Sequence, residues 1–337
     1  MHVPDGYLSP ETCAVGLAIA IPAIAVASRQ VMRQVKGRAV PKLAMLSAFS
    51  FLIMMFNLPI PDGTTAHAVG SALIAIVMGP AAAVIATAVA LLFQALIFGD
   101  GGVLAYGVNV VNMAILMPLV ATVVNRLVAG NSAAGSVRRI TAAAIAGYVA
   151  ILSASIAVGV ELGIQPALFH TADGTALFNP YGLTATLPAM LFAHLLIAGP
   201  AEAIITGAGY GFLARTGQLD GIEPTSDKLR GNPGLVSLGV LAVLALATPL
   251  GLVAQGTAFG EWAPDELGEQ LGAIPAGLEQ WSSFWTHSVL PDYGFASGDA
   301  PVAAYWISAL VGSLIVAGFT YGALWLANRR KPVSTTA

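Results

Sequence analysis

Two segments of this sequence carry nitrogen donors that could bind one transition-metal ion together: the first two residues and His67. A free amine at Met1, the amide nitrogen of His2 and the Nδ1 atom of its imidazole can close five- and six-membered chelate rings around an ion. This planar set of nitrogen ligands suits Ni(II) or Cu(II). The alternative is that His2 is only a polar residue near an exposed chain end.

His67 is the candidate for a fourth ligand. It ends the segment PIPDGTTAH, residues 59–67, whose prolines predict a turn, and Thr64 or Thr65 is expected to cap a third helix that begins at His67. The 13 residues from His67 to Gly79 would span about 20 Å of a hydrocarbon core of roughly 30 Å. His67 would then lie about 10 Å below the outer surface, where a histidine is costly without a partner.

Further polar residues could support such a site. Asp5 and Gly6 form a strong turn pair, so the N-terminal loop is expected to fold back and plug a well on the outer side. Asp62 lies in the turn before His67. Asn109 and Asn112 are at i and i+3 on one helical face, where they could hold this loop, surround the metal ligands, or simply bond between helices.

The composition is that of a membrane protein. Of the 337 residues, 57% are hydrophobic and 9% charged, and the mean hydropathy is +0.80. These values exclude a soluble enzyme, a disulfide scaffold and a disordered chain, and the solid hydrophobic runs are not the alternating pattern of a β-barrel. The one cysteine, Cys13, cannot form an internal disulfide and is expected to be a small packing residue.

Basic residues predict the topology. All 14 fall within residues 29–42, 126–139, 215–230 and 329–331, and the positive-inside rule makes these four clusters cytoplasmic. The expected fold is an all-α polytopic membrane protein of nine helices, with its N-terminus outside and its C-terminus cytoplasmic. The hydrophobic runs are 11–28, 41–58, 68–98 (split at Gly79-Pro80), 104–125, 140–162, 186–213, 235–255 and 301–328.

The chain is expected to divide into three parts. Residues 1–216 form a seven-helix core, residues 217–234 a polar cytoplasmic linker, and residues 235–337 a two-helix part with a long extracytoplasmic loop. The loops assigned to the outer side carry no basic residue and many acidic ones, which supports this assignment.

Three other features of the sequence have two or more interpretations. Ala14, Ala18 and Pro22 form a small-residue stripe that could let a helix of a partner subunit approach closely, or could arise by chance in an alanine-rich chain. Glu202, mid-span, could be a contact with a partner subunit, a proton site or a hydrogen-bonded structural acid. His194 could be a further ligand or a packing residue.

The sequence contains no G-x-x-x-x-G-K-[ST] motif, so we expect no bound nucleotide and no ATP hydrolysis by this chain. Any energy that drives the work of this chain must come from elsewhere.

Three motifs, MHVPDGYLSP, PIPDGTTAH and YGVNVVNMA, resemble the substrate-capturing membrane subunit, or S component, of energy-coupling-factor transporters for nickel and cobalt. The resemblance covers roughly residues 1–216. It implies a planar metal site formed by the Met1 amine, the amide and imidazole nitrogens of His2, and His67. The two last helices, with the segment PDYG at 291–294, resemble the small auxiliary subunit of these systems, fused to the core.

The same resemblance implies partners and a location. Ni²⁺ or Co²⁺ would be the transported substrate, and a transmembrane coupling subunit with two cytoplasmic ATPases would drive uptake across a bacterial or archaeal cell membrane. We expect no nucleic-acid partner.

Two other functions are weighed against metal capture. A proton-coupled nickel/cobalt permease should carry a connected set of intramembrane carboxylates, whereas this chain shows essentially Glu202. A membrane metalloenzyme would need an open coordination position and a general base. Asp5 and Asp62 are the only carboxylates expected near the proposed ligands, and each lies in a turn motif that accounts for it without catalysis. The sequence therefore favours a non-enzymatic importer component.

Overall fold

The computed structural model describes residues 1–60, 64–219, 233–254 and 256–329, and this part of the chain is mainly helical. A two-residue antiparallel hairpin precedes the third helix: β1 (Leu58–Pro59) pairs with β2 (Thr65–Ala66). The helices are α1 (Pro10–Gln34), α2 (Ala39–Met54), α3 (Ser71–Met78), α4 (Pro80–Phe98), α5 (Tyr106–Ala129), α6 (Val137–Leu168), α7 (Leu183–Arg215), α8 (Gly234–Val253), α9 (Pro264–Leu271), α10 (Ala276–Trp281) and α11 (Pro301–Arg329).

Seven of the helices in the described residues are long and apolar enough to cross a membrane: α1, α4, α5, α6, α7, α8 and α11. The other two hydrophobic segments form the shorter helices α2, of 16 residues, and α3, of 8 residues. A helix of 8 residues extends about 12 Å and cannot span a hydrocarbon core of roughly 30 Å alone. The chain is a multi-pass membrane protein.

The predicted break at Gly79-Pro80 is confirmed. Gly79 has a φ of 89°, a conformation that favours glycine. Pro80 is the first residue of α4, a position where a backbone N–H would have no partner within the helix, so proline costs no hydrogen bond there.

The predicted start of the third helix was wrong. α3 begins at Ser71 after Gly70, whose φ is 75°, so His67 lies in the preceding loop and Thr65 lies in β2 rather than at a cap. Main-chain N–H groups at the start of a helix have no partner within that helix. Here Glu202 of α7 accepts hydrogen bonds from the amides of Val69 at 2.7 Å and Gly70 at 3.0 Å, just before α3.

The same contacts bear on Glu202, for which a coupling-subunit contact, a proton site and a hydrogen-bonded structural acid are all open roles. Its side chain is completely buried and its carboxylate oxygens are turned to the loop that carries His67. The structural alternative, a buried hydrogen-bonded acid, describes its role in the fold.

Close packing brings α1 against the first turns of α5. A Cβ atom on Gly107 would lie 2.3 Å from the Leu17 nitrogen, so α1 and α5 can cross this closely only with glycine there. Cys13 is free and buried on this helix, as expected of a packing residue. The C-terminal helices α8 and α11 both pack on α2.

Three membrane-spanning helices contain π-helical turns: Gln94–Phe98 in α4, Val110–Leu116 in α5 and His194–Ala198 in α7. Such wide turns are often found near functional sites. The predicted linker, residues 217–234, lies mostly outside the described residues, as does the chain end after residue 329.

Candidate metal site

The N-terminal loop is buried inside one end of the helix bundle. Met1 and His2 are each 3% exposed, and Gly6, at a φ of 90°, turns the chain back toward Ser9, which caps α1. The turn expected at Asp5-Gly6 is therefore present. Burial of His2 also removes the alternative that it is a polar residue on an exposed end.

Asp5 and Asn109 clamp this loop, as the sequence suggested. The Asp5 carboxylate accepts hydrogen bonds from the amides of Val103 and Ala105, both at 3.0 Å. The Asn109 side chain accepts from the Val3 amide at 2.8 Å and donates to the Val3 carbonyl at 3.0 Å. Val3 follows the proposed ligands directly, so these bonds fix the position of the chain end.

Gly102 completes the clamp because no larger residue fits. Its amide donates to the Val3 carbonyl at 2.9 Å, and a Cβ atom there would lie 2.0 Å from Asp5 Oδ1.

Asn112 does not join this clamp. The Asn112 amide donates to Glu161 Oε2 at 2.6 Å, linking α5 to α6. The π-helical turn between the two asparagines widens the helix, so residues at i and i+3 no longer share one face. Asp62 lies outside the described residues.

The proposed nitrogen donors converge. The Met1 amine lies 3.4 Å from His67 Nε2, and the rings of His2 and His67 stack with centroids 4.8 Å apart. His67 Nδ1 lies 3.0 Å from the Ala68 carbonyl, which accepts its proton and leaves Nε2 unprotonated toward the amine. Metal–nitrogen bonds of about 2.0 Å put adjacent planar donors about 2.8 Å apart, so amine and imidazole need to approach by about 0.6 Å.

Two carboxylates at the site were not singled out from the sequence. Glu261 Oε1 lies 2.7 Å from the Met1 amine, and Asp100 Oδ1 lies 2.7 Å from His2 Nδ1. The contact between His2 Nδ1 and Asp100 does not have the direction of a hydrogen bond, and His2 Nε2 has no partner among the described residues. Both ring nitrogens are buried. Buried polar atoms are normally paired, so His2 has unused capacity for a ligand.

The electrostatic surroundings favour neutral imidazole and ionised carboxylate. Burial, followed by the neighbouring Met1 amine and His2, holds the pKa of His67 well below its usual range. Burial raises the pKa of Asp100, but the close approach of the His2 and His67 imidazoles outweighs it, so the net shift of the pKa is downward. Neutral imidazole is the form that binds metal ions.

A cavity of about 300 Å³ borders the site. Four acidic residues line this cavity. Asp100 belongs to the core, and Glu261, Glu266 and Asp292 belong to the C-terminal part of the chain. Burial, with the nearby charges of Asp100 and Glu261, raises the pKa of Asp292 to about 6. The negative charge around this cavity attracts cations toward His67, which also lines it.

Within the described ranges, no three His, Cys, Asp or Glu side chains are grouped closely enough to hold a metal ion. The Met1 amine, 3.4 Å from His67 Nε2, is a further nitrogen donor beside the two imidazoles.

His194 makes no hydrogen bond to these donors within the described part of the chain. It is buried in α7, its Nδ1 lies 2.7 Å from the Met190 carbonyl, and its Nε2 has no hydrogen-bond partner among the described residues.

Comparison with known proteins places the chain in a family. Residues 2–218 match the model of the cobalt uptake substrate-specific transmembrane region, and residues 233–329 match the PDGLE domain. The chain is 42% identical to the fused nickel transport protein NikMN of Rhodobacter capsulatus, over 94% of this chain and 96% of that protein. It is also 42% identical to the probable fused nickel transport protein LarMN of Lactiplantibacillus plantarum, over 94% and 95%.

Two solved structures are similar as well. The crystal structure of a transition metal transporter has a TM-score of 0.61 and 48% identity, covering 68% of this chain and 100% of that one. A truncated transition metal transporter has a TM-score of 0.60 and 50% identity, covering 63% and 98%. These findings confirm the resemblance carried by the three sequence motifs. The chain belongs to the family of cobalt uptake substrate-specific transmembrane regions, here joined to a PDGLE domain.

Proposed function

We propose that this chain captures Ni²⁺ or Co²⁺ on the outer side of the membrane in a planar nitrogen site. The ligands are the Met1 amine, the His2 amide nitrogen and Nδ1, and His67 Nε2. The observation that carries the proposal is the burial of the Met1 amine 3.4 Å from an unprotonated imidazole nitrogen, beside a His2 ring without hydrogen bonds.

The donor set favours nickel over cobalt. An amide nitrogen gives up its proton only to an ion that gains strongly from planar nitrogen donors, and Ni(II) does so readily. The relatives from Rhodobacter capsulatus and Lactiplantibacillus plantarum, which align with nearly the whole chain, are named as a nickel transport protein and a probable one, which supports nickel as the substrate.

The topology we propose puts the N-terminus outside and the C-terminus in the cytoplasm, with α2 and α3 completing nine membrane-embedded helices. The four basic clusters support this orientation. We also keep the proposed division into a metal-capturing core at 1–216, a linker at 217–234 and an auxiliary part at 235–337.

Transport is proposed to require partners: a transmembrane coupling subunit and two cytoplasmic ATPases. Two observations support this proposal. The sequence has no nucleotide-binding motif, and Ala14, Ala18 and Pro22 are exposed on α1 while their neighbours Gly16 and Ala20 are buried. An exposed stripe of small residues lets a second helix approach closely. No enzymatic activity is proposed.

The proposal predicts binding without uphill transport when the chain acts alone. Proteoliposomes that contain only this protein should bind Ni²⁺ at the outer face but not concentrate it, even under an imposed proton gradient. The reason is that Glu202, the mid-span acid, is held by two main-chain amides rather than arranged for proton transfer. The measurement is Ni²⁺ accumulated inside the vesicles over time.

The control is the same preparation with His67→Ala, which separates bound from transported ion. Accumulation of nickel that depends on the proton gradient, and that Glu202→Gln abolishes, would instead favour a proton-coupled permease.

A further inference from the structure

Tyr293 connects the C-terminal part of the chain to the candidate metal site through one carboxylate. Its buried ring stacks on Phe98, with centroids 5.0 Å apart. Its hydroxyl accepts a hydrogen bond from Gln94 Nε2 at 2.7 Å and donates one to Asp100 Oδ2. Because the other oxygen of Asp100 lies 2.7 Å from His2 Nδ1, Tyr293 and His2 contact the two oxygens of the same group.

The packing of Tyr293 does not require its hydroxyl group. The ring contacts Phe51 and Phe98, with centroids 6.2 Å and 5.0 Å away, and a phenylalanine ring would fill the same space. Burying a hydroxyl group is unfavourable unless it is hydrogen-bonded. The hydroxyl of Tyr293 is paired with Gln94 and Asp100, so its burial is compensated and its one contact toward the candidate metal site is the Asp100 carboxylate.

The turn that carries Tyr293 is held in an uncommon main-chain conformation. Asp292 and Tyr293 have φ values of 50° and 61°, in the left-handed region that non-glycine residues rarely adopt. Such a conformation persists only where surrounding contacts determine it. Here the amides of Val289 and Leu290 donate to the Ile97 carbonyl at 2.8 Å and 3.0 Å, which fastens the turn to the last turn of α4.

A further bond fixes the turn from the opposite side. The Ser308 hydroxyl of α11 donates to the Tyr293 carbonyl at 2.9 Å. The turn is therefore anchored to α4 and to α11, and it presents the Tyr293 hydroxyl to Asp100 at a fixed place.

We propose that Tyr293 is a positioning residue for metal binding: its hydroxyl fixes Asp100 beside the imidazole of His2. The proposal rests on the function proposed above. When His2 Nδ1 coordinates the ion, Asp100 must release that nitrogen. Gln94 Nε2 also donates to Asp100 Oδ2, at 3.2 Å, and the shorter bond from Tyr293 adds to it, so that the carboxylate stays next to the ion as an oriented negative charge. The C-terminal part thus strengthens binding without supplying a ligand.

The test is a Ni²⁺ titration of the full chain as wild type, Tyr293→Phe and Tyr305→Phe. Tyr305 is the matched control because its ring packs against Tyr293, with centroids 5.7 Å apart, and its hydroxyl makes no hydrogen bond among the described residues. Loss of outer contacts to metal ligands typically costs about 10- to 100-fold in affinity. We expect about a tenfold loss for Tyr293→Phe and a shift in the visible circular dichroism of the bound nickel, with neither change in Tyr305→Phe.

A second variant tests whether Tyr293 acts through Asp100. Asp100→Asn should weaken binding, and adding Tyr293→Phe to it should cause little further loss, because the partner of the hydroxyl has already changed. Equal or tighter binding by Tyr293→Phe with an unchanged spectrum would overturn the proposal, as would fully additive losses or an Asp100→Asn variant that binds like wild type. A wild-type chain with no nickel spectrum would instead overturn the metal site itself.

Discussion

Adding one residue before Met1 should destroy high-affinity metal binding, with a loss of more than about 100-fold. Even changes outside the ligand shell commonly cost about 10- to 100-fold, and this extension removes a ligand and a chelate ring. The added residue converts the Met1 amine to an amide. It must also fit into a buried place already occupied by His67 and Glu261. Acetylation of Met1 should have the same effect.

The matched control is the same extension after Ala337, at the end proposed to be cytoplasmic. Both forms should be titrated with Ni²⁺ side by side, after their melting temperatures establish that each is folded. Equal affinities would mean that the terminal amine is not a ligand, and the site would have to be rebuilt around His2 and His67.

Substitution of His67 is expected to cause the second large loss. His67→Ala should weaken binding by more than about 100-fold, because Met1 and His2 supply only three of the four planar donors. His67→Gln, which preserves more of the volume, should lose as much because it lacks the imidazole nitrogen. The measurement is again the Ni²⁺ dissociation constant.

His170→Ala is the control for this series, since His170 lies exposed in a loop and its Nδ1 lies 2.9 Å from a carbonyl within that loop. It should bind nickel like wild type. If His67→Gln retained wild-type affinity, His67 would be removed from the ligand set. His2→Ala should be the weakest binder, since it loses the imidazole and the six-membered ring that holds the amide nitrogen.

Acidification should weaken binding in the wild type because the amine and the His2 amide must both release protons to the solvent as the ion binds. His67 should contribute little to this dependence near neutral pH, because its pKa is already held well below its usual range and it is neutral there.

The turn of the N-terminal loop and the break before α4 were foreseeable from the sequence because they depend on local features. The Asp5-Gly6 turn and the break at Gly79-Pro80 follow from residue types whose conformational preferences act over a few residues. Such preferences hold wherever the rest of the fold does not oppose them.

The contributions of Asp100, Glu261 and Tyr293 could not be predicted in the same way. Glu261 meets Met1 across 260 positions of sequence, and Tyr293 meets Asp100 across 193. No periodicity or spacing reports contacts between parts so far apart. The start of α3 was misjudged for a related reason, since its capping acceptor comes from Glu202 in another helix rather than from a threonine beside it.

The most direct test of the planar nitrogen site is the magnetic state and visible spectrum of Ni²⁺ bound to the full chain with Met1 unmodified. Four nitrogen donors in a plane predict a diamagnetic low-spin ion with the absorption of planar nickel, lost in the form extended before Met1. A paramagnetic ion with the weak bands of six-coordinate nickel, unchanged by that extension, would contradict the proposed site.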